Sequence, residues 1–205
     1  VKSGFAIAGR YVLIQPGAFA IPSAEVWLAQ DTRLGAPVTV LVADATARGV
    51  VLSSIDKART VRDPRFARVI ETGILPSEGT DHTDCPYVVL EQPEGLSVAT
   101  LLARRMVPPP VARALIGEAT RVVLAAAERG LRHGAIGPEL LTVTRRGRVV
   151  LSGAGVVEAF IAATPGRRAV TERDDALALG KLFVRAISGH DPDEVDTQDL
   201  PDDLT

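Results

Sequence analysis

The chain has 205 residues with 23 Lys and Arg against 25 Asp and Glu, a formal net charge of -2, and is 46% hydrophobic and 23% charged, the profile of a globular protein with room for one core or two small lobes. So balanced a charge, without a basic stripe, excludes a general nucleic-acid binder; no apolar run approaches the roughly 20 residues that span a bilayer, and the opening VKSGFAIAGR has too short an apolar stretch for a signal peptide. The lone Cys85 has no internal disulfide partner and His82, His133 and His190 are scattered, so neither a disulfide framework nor a zinc site nor any other cofactor is expected, and a reducing cytosolic setting is.

Five short runs rich in β-branched residues, RYVLIQPG, AEVWLAQD, APVTVLVAD, RFARVIETGIL and PYVVLEQ, are broken by Gly, Pro and Asp and predict five strands of an antiparallel sheet. Between the third and fourth, VVLSSIDKARTV places apolar residues at Val51, Leu52, Ile55, Ala58 and Val61, which predicts one short helix. The character changes after about Gln92. SVATLLARR predicts a helix capped by Ser97, and PPPVARALIGEATRVVLAAAERG a longer one that begins at prolines and stops at Gly130. LLTVT and RVVLSG, separated by RRG, predict a small hairpin. A loop with Pro165 and Gly166 leads into DDALALGKLFVRAISG, an apolar helix that ends at Gly189, and the remaining HDPDEVDTQDLPDDLT is acidic and interrupted by prolines.

Five strands with a helix after the third, a hinge, helices, a hairpin and an apolar helix is similar to the plan of a protein kinase with a reduced C-lobe. RYVL with AEVWLAQDTRLGAPVTVLVAD resembles the first three kinase strands, PYVVLEQPEG the fifth strand and hinge, RGLRHGAIGPELLTV the catalytic loop, and DDALALGKLFVRAISG the central C-lobe helix. The resemblance runs over about residues 9–190 and implies an α+β, two-lobed fold: an antiparallel five-stranded N-lobe with one helix over residues 1–91, a shortened, mainly helical C-lobe over residues 92–190, and an acidic tail over residues 191–205.

Phosphoryl transfer in kinases depends on a few charged groups that position and neutralise a triphosphate. By the resemblance, Leu41 stands at the strand lysine, and Ser54 near its glutamate partner with Asp56 as the nearest acid. HGAIGPEL matches the catalytic-loop pattern with Gly134, Ala135, Gly137 and Leu140 at the arginine, the base aspartate, the lysine and the metal-binding asparagine; Gly153, Ala154 and Gly155 stand at the metal-binding triplet. The phosphate loop keeps only Gly17 and carries Pro22, which lacks a donor, and about twenty residues between Gly155 and Asp175 leave little chain for a substrate platform. What is kept is structural: His133 and Asp175 match the pair that ties the catalytic loop to the central helix, with Asp175 also suited to cap that helix, and Val26 and Leu90 line the old adenine cleft. His133 reads as a buried, hydrogen-bonded scaffold residue because no nucleophile or acid sits beside it in sequence.

The resemblance therefore implies a catalytically inactive binding module. The alternatives are a divergent nucleotide-binding or weak transferase domain that uses substitute residues, and a plain structural domain. Alanine-, valine- and arginine-rich usage and the shortened kinase plan resemble the cytoplasmic region of mycobacterial MviN-type lipid II flippases. That implies a place on the cytoplasmic side of the plasma membrane, held by a transmembrane segment outside this chain, in regulation of peptidoglycan precursor export. It also implies an upstream membrane Ser/Thr kinase as a partner. Thr197, with EVD before it and Gln198, Asp199 and Leu200 after it, resembles sites chosen by such kinases, and its surroundings suit a forkhead-associated domain, a family that reads the residue three beyond the phosphothreonine. Thr164, Thr171 and Thr205 are weaker alternatives: Thr164 precedes Pro165, Thr171 lies near Arg167 and Arg168, and Thr205 is the last residue of the sequence.

Overall fold

A computed structural model describes residues 1–44, 51–76, 85–103 and 107–190. The first half is a six-stranded antiparallel sheet built from β1 (Ala6–Ile7), β2 (Tyr11–Pro16), β3 (Ala24–Asp31), β4 (Ala36–Ala43), β5 (Val69–Leu75) and β6 (Cys85–Glu91), in the order β1-β2-β3-β4-β6-β5. Helix α1 (Val51–Thr60) connects β4 to β5. The five expected strands are present, and the two-residue β1 adds a sixth at the edge beside β2, at Ala6↔Val12 and Ile7↔Tyr11.

Both faces of this sheet are buried, and the alternation along each strand decides which residue goes where. Trp27 and Ala29 of β3, Val38, Val40 and Val42 of β4, and Tyr87 and Val89 of β6 join Ile7, Tyr11 and Leu13 in one apolar cluster. Their neighbours Val26, Leu41, Ala43, Val88 and Leu90 join a second cluster on the opposite face. Register shifts at Leu13/Gln15 and Val69/Glu71 mark irregularities that bend and twist strands, and they accompany a sheet curled into a half-barrel.

The curl is pinned by a polar hub. The Glu71 carboxylate accepts from the Tyr11 hydroxyl at 2.7 Å, the Tyr87 hydroxyl at 3.0 Å and Arg10 at 3.3 Å, and Arg10 grips Asp31 with two bonds of 2.9 and 2.7 Å. Arg10 and the backbone amides of Arg33 and Leu34 hold the buried Asp31 carboxyl down at about 2, while burial and then Glu71 push the Tyr87 phenol up to about 12.

The second half contains β7 (Leu96–Ser97), α2 (Val98–Leu102), α3 (Pro109–Glu128), β8 (Leu141–Val143), β9 (Val149–Leu151), α4 (Val157–Ala163) and α5 (Glu172–Ser188). The expected hairpin is β8–β9, extended by β7 to three strands. Ser97 caps α2 by accepting from the Thr100 amide at 3.1 Å, and α3 starts with proline at its first turn, where a missing amide hydrogen leaves no helical bond unmade. Helix α5 begins two residues before the expected Asp174. Thr171 caps it through a capping box with Asp174, so Asp175 does not serve as the cap. Helix α4 lies in the run VVEAFIAA, for which the sequence pattern predicts no element.

The two halves share one core. The cluster that contains Val26, Leu41, Ile55 and Leu90 continues through Leu115, Ala119 and Val122 of α3 to Val157 and Phe160 of α4 and Leu179 and Leu182 of α5. Backbone bonds reinforce it: the Ala67 amide donates to Leu151 O at 3.0 Å and the Leu151 amide to Arg65 O at 2.9 Å, which sews the chain after α1 to β9. Asp63 in that segment is clamped by Arg65 at 2.7 Å and Arg129 at 2.9 Å, which hold its carboxyl at about 2. Among the described residues, no helix is long and apolar enough to cross a membrane.

Candidate functional site

The loop from Leu131 to Leu140 joins α3 to β8 and passes under the curled sheet. Its centre is His133, only 1% exposed. The Asp175 carboxylate, itself 4% exposed on the first turn of α5, accepts from the His133 amide at 3.0 Å and the Gly134 amide at 2.7 Å. The imidazole Nδ1 accepts from the Ala135 amide at 3.2 Å, which places the proton on Nε2, and Nε2 donates to Ser152 O at 2.9 Å. Both ring nitrogens are thus satisfied by backbone, and burial pushes the imidazole pKa below its ordinary value. A neutral ring so engaged has no lone pair free to accept a substrate proton.

The expected tie between His133 and Asp175 is therefore present as geometry. Around it the sequence-singled residues are close-packed. Leu41 is fully buried in the shared cluster. Helix α1 contributes Ile55 and Ala58 to that cluster, whereas Ser54 and Asp56 lie on the exposed side, Asp56 paired with Arg59 at 3.6 Å. A helix turns about 100° per residue, so Ser54 points away from the face that the adjacent Ile55 turns to the core. Ala135 packs against the cluster, Leu140 is buried, and Gly137 accepts from the Leu140 amide at 3.1 Å through its carbonyl.

The triplet Gly153–Gly155 forms a tight turn into α4. The Val156 and Val157 amides both donate to Gly153 O at 2.9 Å, and the Gly155 amide donates to Arg132 O at 2.8 Å. Gly153 has φ +85°, and a Cβ there would lie 2.7 Å from Val157 Cγ2; Gly134 has φ +81°, with a Cβ 2.4 Å from Val170 Cγ2. A side chain at either place would require a left-handed backbone and a displaced neighbour. Helix α4 then buries Val157, Phe160 and Ile161, filling the space beside α1.

The loop between β2 and β3 reaches down onto the second half. Its Ile21 is 5% exposed and belongs to the shared cluster, the Ala24 amide turns back to Ile21 O at 3.3 Å, and the Ser23 and Thr164 hydroxyls are 2.8 Å apart. Thr164 also donates to Phe160 O at 3.0 Å, and Thr171 is held in its capping box, so both of these candidate phosphorylation sites are engaged. What remains of the cleft is a cavity of about 450 Å³ near the hinge, lined by Val26, Leu90, Thr39, Glu139, Thr142 and Ser152 among others. Among the described residues, no three His, Cys, Asp or Glu side chains converge on a point that could hold a metal ion. Thr197, Gln198, Asp199, Leu200 and Thr205 lie outside the described residues.

Two features carried no warning from motif reading: α4, whose signal was the apolar run at 156–163, and the Ser23–Thr164 contact, which joins loops far apart in sequence.

The fold is that of a protein kinase domain. The kinase domain of Mycobacterium tuberculosis PknI superposes with a TM-score of 0.64 at 19% identity, over 98% of this chain and 81% of that one. Its C20A mutant does so with a TM-score of 0.67, also at 19% identity, over 96% of this chain and 79% of that one. No family model and no curated protein matches the sequence.

Proposed function

We propose that this domain is a pseudokinase that transfers no phosphate and acts as a phosphorylation-dependent binding scaffold. The supporting observation is what stands at the positions matched to kinase charges: Leu41, at the strand lysine, is fully buried in an apolar cluster, Ser54, near the glutamate, lies on the exposed side of α1, and a Cβ at Gly153 would meet Val157. Phosphoryl transfer needs those groups for positioning and charge neutralisation, and loss of a single transition-state partner commonly lowers a rate by about two orders of magnitude or more.

In this reading an upstream membrane Ser/Thr kinase phosphorylates Thr197, and a forkhead-associated domain protein captures the product. The acidic stretch offers no arginine of its own, so the phosphate is presented outward, with Leu200 as the second point of recognition. The setting is the cytoplasmic side of the plasma membrane, as part of an MviN-type flippase whose export of peptidoglycan precursor is regulated by the capture. The second reading, a divergent nucleotide-binding or weak transferase domain, is favoured by one observation, the residual 450 Å³ cavity beside Val26 and Leu90.

Two measurements separate them. Titration with ATP and magnesium is expected to leave the unfolding midpoint unchanged, whereas a nucleotide that binds the native state must raise it by mass action. A pull-down with a forkhead-associated domain, before and after kinase treatment, is expected to succeed only after treatment and to fail for Thr197→Ala. Retention of the treated Thr197→Ala protein at parent level refutes the assignment of that site.

A further inference from the structure

A groove of about 910 Å³ opens behind the hinge, between the start of β4, the segment that follows α1, and the turn joining β8 to β9. Its apolar lining includes the buried Phe66 and Val150 and the exposed Pro37 and Leu34, the last 70% exposed. Its rim is basic. Arg145, Arg146 and Arg148 stand on the β8–β9 turn, and Arg62 faces them from the chain after α1.

Most acids at this groove are already engaged. Asp31 is held by Arg10 at 2.7 Å, Asp63 by Arg65 and Arg129, and Glu91 by Arg68 at 3.0 Å. Among the described residues, Arg145, Arg146 and Arg148 pair with no carboxylate, and Arg62 donates only to the carbonyls of Arg59 and Val61, at 2.7 and 3.2 Å. The turn that carries the three arginines is fixed: the Thr144 amide donates to Arg148 O at 2.9 Å and the Arg148 amide to the Thr144 hydroxyl at 3.2 Å. A preorganised basic rim over an apolar lining is suited to an extended acidic segment with spaced apolar residues.

The chain contains such a segment. Residues 191–205 hold seven acids, no base, and the apolar residues Val195, Leu200 and Leu204. Removing those seven from the 25 acids leaves 18 against 23 basic residues, so the remainder carries +5 and the segment -7. Fifteen residues extend to about 50 Å, against a radius of gyration of about 16 Å for a folded body of this size, so the groove is within reach. A tether of this length also raises the local concentration to the order of millimolar, at which individually weak ion pairs suffice.

We propose that the arginine-rimmed groove behind the hinge is the docking site of the chain's own acidic segment, residues 191–205. This goes beyond the scaffold reading and does not depend on phosphorylation of Thr197. It adds a regulatory consequence, because docking in cis and capture by an outside partner compete for the same residues.

The test is hydrogen exchange of the segment's amides in the full chain, referenced to a synthetic peptide of residues 191–205 in the same buffer. At low salt the amides are expected to exchange on the order of fivefold more slowly than in the peptide. At about 0.5 M salt, where screening shortens the reach of charge to a few ångströms, the difference is expected to vanish. The triple variant Arg145→Glu, Arg146→Glu, Arg148→Glu is expected to exchange like the peptide at both salts, with amides of β4 and β6 reporting that its core is intact. If the glutamates prevent folding, Arg145→Gln, Arg146→Gln, Arg148→Gln replaces them. Peptide-like exchange in the parent at low salt overturns the proposal, as does protection that survives in the triple variant, which places the segment elsewhere. Protection that disappears on tenfold dilution also overturns it, since the docked segment then belongs to a second copy.

Discussion

Substitution of Gly153 by alanine tests whether the turn into α4 has room for a side chain. Gly153 sits at φ +85°, and a Cβ there falls 2.7 Å from Val157 Cγ2, on a residue that is itself fully buried and anchored in α4. The left-handed backbone costs a residue with a Cβ about 1–2 kcal/mol, and forcing a methyl into a packed core about 1–3 kcal/mol more. The expected loss of about 2–5 kcal/mol lowers the unfolding midpoint by about 5–15 °C for a chain of this length. Gly147→Ala is the control, because its φ is +73° but nothing lies within 4 Å of the added carbon; it isolates the backbone part, about 1–2 kcal/mol. Gly134→Ala should cost about as much as Gly153→Ala, since its Cβ would meet both Val170 and Ile161 of α4, which is buried. Thermal unfolding followed by circular dichroism reads all three. If Gly153→Ala and Gly147→Ala unfold within about 2 °C of each other, the packing argument is wrong.

Other consequences are measurable in the same way. Burial depresses the His133 pKa, so the unfolded chain binds a proton that the folded chain resists; the stabilisation is complete above the unfolded value of 6.5 and is lost as pH falls below it, by at most about 1.4 kcal/mol per pH unit. His133→Gln should flatten the acid slope of stability measured by denaturant unfolding, and an unchanged slope refutes the assignment. Leu41→Lys buries a charge at a fully enclosed position with no acid in its cluster and is expected to destabilise by about 3–5 kcal/mol without creating ATP-dependent stabilisation; parent-like stability would mean that an acid is available after all. Trp27, the single tryptophan, reports the sheet, whereas far-ultraviolet dichroism is dominated by α3 and α5, and a core shared by both halves predicts coincident unfolding midpoints for the two signals. Two separate transitions refute that sharing.

The fold was largely legible because its signals are local and periodic. The alternation through PVTVLVA and PYVVLE places one set of residues on each face of the sheet whatever its partners are, and proline and glycine mark the limits of α3 and α5. Helix α4 was missed because seven residues after two glycines carry too few turns for a helical period to stand out from a buried strand. Of the residues that the kinase resemblance singles out, the pairing of His133 with Asp175 is legible in the sequence and is made by the His133 and Gly134 amides, and Leu41 and Ala135 pack in or against the shared cluster. On α1 the structure places Ser54 on the exposed side and Ile55 and Ala58 in Leu41's cluster, a distinction between neighbouring residues that only a three-dimensional view supplies. Closure of the phosphate end by Ile21 and the Ser23–Thr164 contact depends on pairing across about 140 residues, which no local pattern encodes.

The position of the apolar residues also bears on motion. An active kinase needs a cleft that opens and closes around nucleotide, and a cleft lined with charge can open into water at little loss. Here Ile21, Leu41 and Ile55 share a cluster with Val157, Phe160 and Leu179, so separating the halves would return that surface to water at about 25 cal/mol for each Å² of apolar area. Ile21, Leu41 and Ile55 thus hold the two halves together. Halves joined in this way present a fixed surface, and the rim formed by Arg145, Arg146 and Arg148 is such a surface on a hairpin braced by that core. Binding to a surface already in place spends less on ordering than binding to one that must form. Under the proposed scaffold reading, the apolar packing and the fixed surface belong to one arrangement, because the side chains that fill the space between the halves also hold them together.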